Sequence, residues 1–477
     1  MRRSLAIASA AAVACVAAGT SLAAQGSAVM THGSCATALA GAGVAQPCDD
    51  GSAILFNPAA LVHSPSLITV GVTPITADAE FTYDRTGETI SRDKSTTNVP
   101  FAYASYRFSD RVAAGVGLFA PYGLGLDWPA CTVNELNSNS CSGPNFEGRF
   151  VSYDTKLTNI YVQPTVSVAA TPWLSLGAGV DYVSAEIDIN QRLDLAEQPL
   201  PALPGVPAGT RFGSVGVRAG TDFADAHLNG SGSGLGFHVG AQARVAPWLS
   251  VGARYLSAVD IDYDGSARFE QINTSVVVPF GSSVILVDTV VAKQFAQGQA
   301  LSNQSVATGL TLPSQLVVGV ALNPMPRLRV VADYQWTGWS SFDEAPLDFE
   351  RLTDQTLVLD YQDTDTWRLG AEYGATDALA LRAGFIYNTA AEKDYSVSPL
   401  LPEAERNYYS AGIGYRLGRG LRIDAAYQLV DQADRRGRVR GRTPGMTEAE
   451  LEARNVGVYH SEVHLWNLTL SYRFGGR

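Results

Sequence analysis

The sequence predicts an all-β protein: fourteen antiparallel strands closed into a transmembrane β-barrel, with an N-terminal segment plugging the interior. Three observations lead there. Short segments alternate apolar and polar side chains at period two, and the connections between them alternate between short and long. The chain is also poor in charge, yet too polar for membrane helices. Charged residues are 17% of the 477 residues, below the roughly 25% of an average soluble domain, and mean hydropathy is +0.02. High glycine and tyrosine counts, 46 and 20, suit strands that face lipid on one side and a lumen on the other. A net charge of −12 argues against a nucleic-acid partner.

The N-terminus comes first. Arg2 and Arg3 precede the apolar run "LAIASAAAVACVAAGTSLAA", which ends in small residues of the cleavage type. Residues 1–24 are therefore expected to be an export signal. Cys15 loosely resembles a lipidation site, but the apolar run continues past it to a better cleavage site. Four cysteines remain: Cys35, Cys48, Cys131 and Cys141. In an exported chain they are disulfide candidates, and the local pairs Cys35–Cys48 and Cys131–Cys141 are expected among three possible connectivities. The six histidines are scattered, so neither a metal site nor a cofactor is expected.

The stretch "DDGSAILFNPAAL", Asp49 to Leu61, has neither strand alternation nor a helical period. An irregular, fairly apolar segment ahead of a closed barrel finds cover inside it. Residues 25–65 are thus expected to form the plug and residues 66–477 the barrel with long outer loops.

The strands follow. In Trp367 to Gly374, Trp367, Leu369, Ala371 and Tyr373 alternate with Arg368, Gly370, Glu372 and Gly374. Leu249 to Ser257 and Leu421 to Leu429 repeat the pattern, with aromatics at the strand ends where a membrane interface favours them. Six short turns, at Ser109-Asp110, Thr171-Pro172, Ala246-Pro247, Asn323 to Pro326, Thr376-Asp377 and Gly418 to Gly420, imply fourteen strands. Their expected starts are Leu67, Phe101, Arg111, Leu157, Trp173, Phe223, Trp248, Gln315, Leu328, Thr366, Leu379, Asn407, Leu421 and Tyr459. An even count with short turns at one end and long loops at the other places the chain in a bacterial outer membrane. The last strand, "HLWNLTLSYRF", carries Trp466, Leu468, Leu470, Tyr472 and Phe474 on one face, like the assembly signal of such barrels.

Inward charges such as Arg254, Arg368, Arg382, Arg422, Asp181, Asp333 and Asp424 are expected mainly to brace the lumen as ion pairs. Catalysis finds no support: His460 and His464 share the outward face with Trp466, and no serine-centred nucleophile motif stands out. Two outer loops are unexpectedly apolar, "EQPLPALPGVPAGTRFG" from Glu197 and "SVVVPFGSSVILVDTVV" from Ser275. They either pack together or hold a hydrophobic ligand. A ligand role would exclude a simple hydrophilic porin; a general or adhesin-like barrel is the alternative reading.

Taken together, "ALAGAGVAQPCDDGSAILFNPAAL", "ASYRFSDRVAAGVGLFAPYGLGLDW", "VGARYLSAVDIDYDG", "TLPSQLVVGVALNPMPRLRVVADYQWTGWSSFD", "DTWRLGAEYGATDALALRAGFIY" and "LPEAERNYYSAGIGYRLGRGLRIDAAYQ" resemble the outer-membrane long-chain fatty acid transporter family, the FadL type, which includes aromatic-hydrocarbon uptake channels. The resemblance implies a fourteen-stranded barrel with an N-terminal hatch. It further implies capture of apolar ligands by outer loops, transfer to a lumen pocket, and lateral exit through a kink in the third strand into the membrane. Asn57, Pro58 and Ala59 match the hatch motif near that opening, and Ala120, Pro121, Tyr122, Gly123 and Leu124 match the kink. The basic residue that the fatty acid transporter carries near the end of its fifth strand falls on Gln191, with Arg192 beside it. The implied ligand is a fatty acid, or alternatively a neutral hydrocarbon. The implied setting is a monomer among outer-membrane lipid and lipopolysaccharide.

Overall fold

The computed structural model describes residues 32–92, 96–137, 141, 143–200, 207, 209–280, 283–418, 420–442 and 446–475. The expected export signal lies outside the described residues.

Fourteen strands form one closed antiparallel barrel. They are β1 (Leu67–Tyr83), β2 (Thr96–Arg107), β3 (Val112–Asp127), β4 (Asp154–Ala169), β5 (Leu174–Asp194) and β6 (Asp222–Ala246). The next two are each in two pieces: β7 (Leu249–Leu256 and Val259–Gln271) and β8 (Gln304–Leu312 and Gln315–Met325). Then come β9 (Leu328–Thr337), β10 (Thr364–Gly374), β11 (Leu379–Asn388), β12 (Arg406–Gly418), β13 (Leu421–Gly437) and β14 (Gly457–Arg473). Each strand pairs with the next, and β14 closes on β1 from Leu67↔Arg473 to Tyr83↔Gly457. Closure leaves no sheet edge exposed to lipid along that seam.

Three strands depart from expectation. The second, expected to start at Phe101, begins at Thr96. The eighth, expected to start at Gln315, begins at Gln304. Pro313 has no N–H for the ladder, so it reads as a terminus, but the strand resumes beyond it. The seventh likewise continues past Ser257-Ala258 to Gln271.

The outer surface is banded. Trp367 and Tyr373 on β10, Tyr409 and Tyr415 on β12, and Trp466 and Tyr472 on β14 are all exposed. Each pair spans six residues, about 20 Å along a strand, with exposed Leu369, Ile413, Leu468 and Leu470 between them. Such an apolar belt between aromatic rings is what a lipid bilayer requires. Above it the outward face turns polar: on β6, Leu235 and Phe237 give way to Ser233, Ser231, Asn229, His227 and Asp225. No helix among the described residues is long and apolar enough to cross a membrane.

The N-terminal segment lies within the ring. It contains α1 (Ser34–Ala38), α2 (Ala53–Phe56) and a 3-10 turn (Pro58–His63), nearly all buried. Inward side chains hold it from several sides. On β14, Thr469 Oγ1 accepts from Ser34 N at 2.8 Å and Asn467 Oδ1 accepts from Ser34 Oγ at 2.8 Å. Asp333 of β9 accepts from Gly43 N at 2.7 Å and Val44 N at 2.9 Å. Gln242 of β6 donates to Ala45 O at 2.6 Å, and Ser167 of β4 to Ala59 O at 2.9 Å. A buried segment without regular structure must find partners for its backbone groups, and here the wall supplies them. Cys35 and Cys48 are joined by a disulfide within this segment, and Cys131 and Cys141 by another in the β3–β4 loop.

Some of the inward charges pair with one another, whereas Arg254 and Arg368 donate to Gln315 and Gln335 and Asp333 accepts from backbone amides. Arg382 meets Glu372 and Asp424 at 2.5 and 2.8 Å, and Arg422 meets Asp424 at 2.7 Å. His238 Nδ1 lies 2.5 Å from Asp181.

Candidate functional site: a break in the barrel wall

β3 carries the site. Its ladder with β4 is regular up to Phe119↔Tyr161 and resumes at Tyr122↔Asn159, so three residues of β3 span two of β4. The extra residue is a bulge at Ala120-Pro121. Proline cannot donate to the ladder and holds the preceding residue extended, which makes this the weak point of the strand.

The bulge has a consequence on the other side. β2 pairs with β3 only from Arg107↔Ala113 to Ala102↔Leu118. Yet β2 stays paired to β1 as far as Thr76↔Thr96. Thr96–Phe101 and Phe119–Asp127 therefore face each other without a ladder, and the wall is open above the bulge. At the top, Arg92 straddles the opening: its Nε donates to Asp127 Oδ1 at 2.9 Å and its Nη1 to Ala77 O at 3.2 Å. Behind the opening Ala120 packs into one apolar cluster with Ile75, Val99, Tyr408, Val463 and Ala40 of the inner segment.

Asn57-Pro58 is built to sit still. Asn57 Oδ1 accepts from Ala59 N at 3.0 Å, which caps the 3-10 turn, and Pro58 occupies its first position. Both amide hydrogens are used as well, on Val44 O at 2.6 Å and on Ala241 O of β6 at 3.0 Å. The strands come close enough only because they present glycines. A Cβ on Gly177 of β5 would lie 2.5 Å from Ala59 N, and one on Gly240 of β6 would lie 2.8 Å from Pro58 Cδ.

A chain of hydrogen bonds joins this segment to the bulge. Arg254 of β7 donates to Leu55 O at 2.6 Å and also to Gln315 Oε1. Gln315 Nε2 donates to the Tyr122 hydroxyl at 2.9 Å, and that hydroxyl donates to Pro313 O at 3.0 Å. The break in β8 at Pro313 is what turns this carbonyl away from the ladder. Tyr122 also packs edge-on against Trp339, with centroids 6.0 Å apart, and tilts against Tyr161. The Tyr263 hydroxyl, Trp339 Nε1 and the Asn159 amide are buried nearby with no hydrogen-bond partner among the described residues.

The outer loops close over this lumen. Arg149, fully buried, donates from Nε and Nη2 to Asp222 at 2.7 and 3.0 Å, locking the β3–β4 loop to the start of β6. Trp128 Nε1 donates to Pro399 O at 3.0 Å across to the β11–β12 loop. In that loop Glu392 and Glu403 are both buried. Glu403 accepts from Ala391 N at 2.8 Å and Glu392 N at 3.1 Å. Burial, reinforced by the neighbouring Glu403 charge, pushes the Glu392 carboxyl up to about 8, and burial raises Glu403 too.

The two apolar loops pack together. Phe212, Phe223, Val278, Val287, Val291 and Leu301 form one buried cluster. A hairpin of Val277–Phe280 and Ser283–Leu286 projects from it with Val277, Val284 and Leu286 exposed.

The expected site residues divide. Asn57, Pro58 and Ala59 meet the wall on β4–β6 and are linked through Arg254 and Gln315 to Tyr122. Pro121, Tyr122 and Gly123 are buried at the bulge, and Leu124 pairs with Leu157 above it. Arg192 is not brought together with them. It alternates with inward Gln191, pairs with Asp225 at 2.8 Å, and lies over the Tyr153 ring at 5.4 Å. Its charge is thus already matched, on the outer face of the wall. Arg254 and Gln315 join the site unannounced. Arg254 reads from sequence as one more bracing charge; the signal is an arginine that follows Ser250 and Gly252 on the inward face.

Residues 9–474 match the family described as outer membrane protein transport protein (OMPP1/FadL/TodX). An outer membrane protein of Neisseria meningitidis serogroup B is 27% identical over 80% of each chain. The long-chain fatty acid transport protein of Escherichia coli O6:H1 is 25% identical over 79% of this chain and 80% of its own. Among solved structures, a Pseudomonas aeruginosa FadL homologue has TM-score 0.75 at 21% identity, covering 94% of this chain and all (100%) of that one. The Pseudomonas putida toluene transporter TodX has TM-score 0.65 at 16% identity, over 94% and 100%. The structural likenesses establish the shared fold, and the match along almost the whole chain establishes the kinship: this chain belongs to the OMPP1/FadL/TodX family of outer-membrane transport proteins, transporters of hydrophobic substrates and not enzymes.

Proposed function

We propose that this protein takes up hydrophobic small molecules, long-chain fatty acids foremost, and releases them sideways into the outer membrane. The observation that carries the proposal is the unpaired stretch between Thr96–Phe101 and Phe119–Asp127. The exposed Val277, Val284 and Leu286 hairpin is the capture surface. The lumen behind Ala120 and Tyr122 receives the ligand, and residues 25–65 act as the hatch, with Asn57, Pro58 and Ala59 setting its position. Pro121, Gly123 and Leu124 shape the exit. A sideways exit keeps an apolar ligand clear of the Arg-lined lumen below, where it would displace water from paired charges. The protein acts as a monomer surrounded by lipid and lipopolysaccharide.

Deleting Pro121 removes the one extra residue and lets β3 run in continuous register with β4. Labelled oleate uptake, in cells stripped of their own fatty acid uptake, should then fall by roughly tenfold or more while the barrel remains folded. Unchanged uptake with a folded barrel refutes lateral exit. Toluene uptake that falls while oleate uptake never exceeded background would move the ligand to a neutral hydrocarbon.

A further inference from the structure

The lumen holds a second arginine-centred feature, separate from the Arg254 chain. Arg406 opens β12 and points inward, 5% exposed. Its Nε donates to Gln432 Oε1 at 2.7 Å. Its Nη1 is buried and finds no acceptor in good geometry among the described residues, and the Tyr408 hydroxyl, two residues along the same face, finds none for its proton; the guanidinium and that hydroxyl lie against each other. Both side chains line one cavity of about 30 Å³, otherwise walled largely by aliphatic groups including Leu126, Leu401 and Leu465. That is room for about two water molecules, or for one carboxylate.

We propose that this cavity is the anchor for the carboxylate of an amphiphilic ligand, with Arg406 Nη1 and the Tyr408 hydroxyl as its donors. The proposal rests on the uptake reading above and narrows it to acids. Both groups still have protons to give, and the guanidinium can only donate, so what the cavity lacks is an acceptor. A guanidinium and a carboxylate form short, charge-assisted bonds. A hydrocarbon in the same place would leave a buried positive charge without a partner.

The surroundings supply a route for the tail. Tyr408, Val430, Val463, Leu465 and Ile75 belong to the same apolar cluster as Ala120 at the bulge. A ligand with its head at Arg406 would direct its chain into this apolar cluster, towards the opening in the wall.

The internal rival for the arginine is Glu403. One of its oxygens is taken by the amides of Ala391 and Glu392. The other has no hydrogen-bond partner: the Arg406 charge acts on the Glu403 carboxyl, but among the described residues no close ion pair joins the two. Arg192, by contrast, already has Asp225.

The test compares oleate with oleyl alcohol, which has the same chain without the carboxylate, for binding to the purified full-length protein in a non-ionic detergent. The wild type should prefer oleate by roughly tenfold or more. Arg406→Met should abolish the preference without weakening the alcohol, Tyr408→Phe should reduce it, and Arg406→Lys should retain part of it. Arg192→Met should leave it intact. A bracing role alone would move both ligands together or neither. Equal wild-type affinities, or a preference that survives Arg406→Met, overturn the anchor while leaving hydrophobic uptake standing. A preference lost with Arg192→Met instead also overturns it. Failure of the wild type to bind either compound removes both the anchor and the uptake reading. Should Arg406→Met not fold, the Tyr408→Phe and Arg406→Lys arms decide the question.

Discussion

Replacing Arg254 by methionine should loosen the inner segment without unfolding the barrel. The guanidinium makes the bond that ties Leu55 O to β7, at 2.6 Å. A hydrogen bond from a charged donor contributes about 1.5–3 kcal/mol. At about 1.4 kcal/mol per tenfold, the open fraction of this segment should rise by roughly 10- to 150-fold. The barrel as a whole should change little, because the substitution also removes a buried charge whose desolvation opposes folding. Hydrogen–deuterium exchange resolves the two. Amides of residues 53–61 should lose protection by that factor, and those of β14 should keep theirs. Gln315→Leu, which cuts the link to Tyr122 but spares the Leu55 bond, should give a smaller rise. Unchanged exchange at 53–61 would refute the idea that Arg254 holds the segment. An equal rise in β14 would refute it as well, since that would mark general destabilisation.

Three further outcomes are expected. Gly240→Ala puts a methyl 2.8 Å from Pro58 Cδ, and overpacking of this kind typically destabilises by about 1–3 kcal/mol; faster exchange at Asn57–Leu61 with an intact barrel checks it. Arg149→Met leaves Asp222 buried without its partner, at about 3–5 kcal/mol, so limited proteolysis should cut the β3–β4 loop faster, and adding Asp222→Leu should restore part of the resistance. The β11–β12 loop should depend on pH: folding raises Glu392 from its ordinary 4.5 to about 8, so the folded loop keeps a proton that the open loop releases. Its stability is full below about 4.5 and is lost as pH rises through about 8, with loop opening growing by up to about tenfold per pH unit; exchange of residues 389–405, corrected for intrinsic rate, should show this slope and Glu392→Gln should flatten it.

The wall of this protein is legible in its sequence because its physics is local. Alternation along Trp367–Gly374 sets which side chains meet lipid, and each short turn fixes a neighbour. The inner segment is legible by exclusion: Asp49–Leu61 suits no strand, and its apolar residues need cover. What stays hidden depends on who faces whom across the lumen. Ala120-Pro121 reads as a kink, but the opening also needs β2 to stop pairing at Ala102; Pro100, which has no N–H to donate, stands two residues from that point, yet a lone proline does not say how far the ladder runs. The inward glycines at 177 and 240 look like filler in a polar face until the backbone of Pro58 and Ala59 is placed against them. Arg192 stands out in the sequence only beside Gln191, the position of the family's basic residue in the fifth strand. Period two puts it outside, and only the tertiary pairing with Asp225 shows its charge to be spent.

The polar upper reach of β6 has a consequence for the cell surface. From Asp222 to Ser233 the strand runs above the aromatic ring at Phe237, about 40 Å along its length, or about 30 Å in height at the usual tilt of ~40°. The loops with the exposed valines thus stand on a hydrophilic tower, level with the sugars that cover an outer membrane. On the uptake proposed above, a greasy molecule from the medium would meet its first apolar surface up there, before it had to cross a hydrated carbohydrate layer in which it is scarcely soluble.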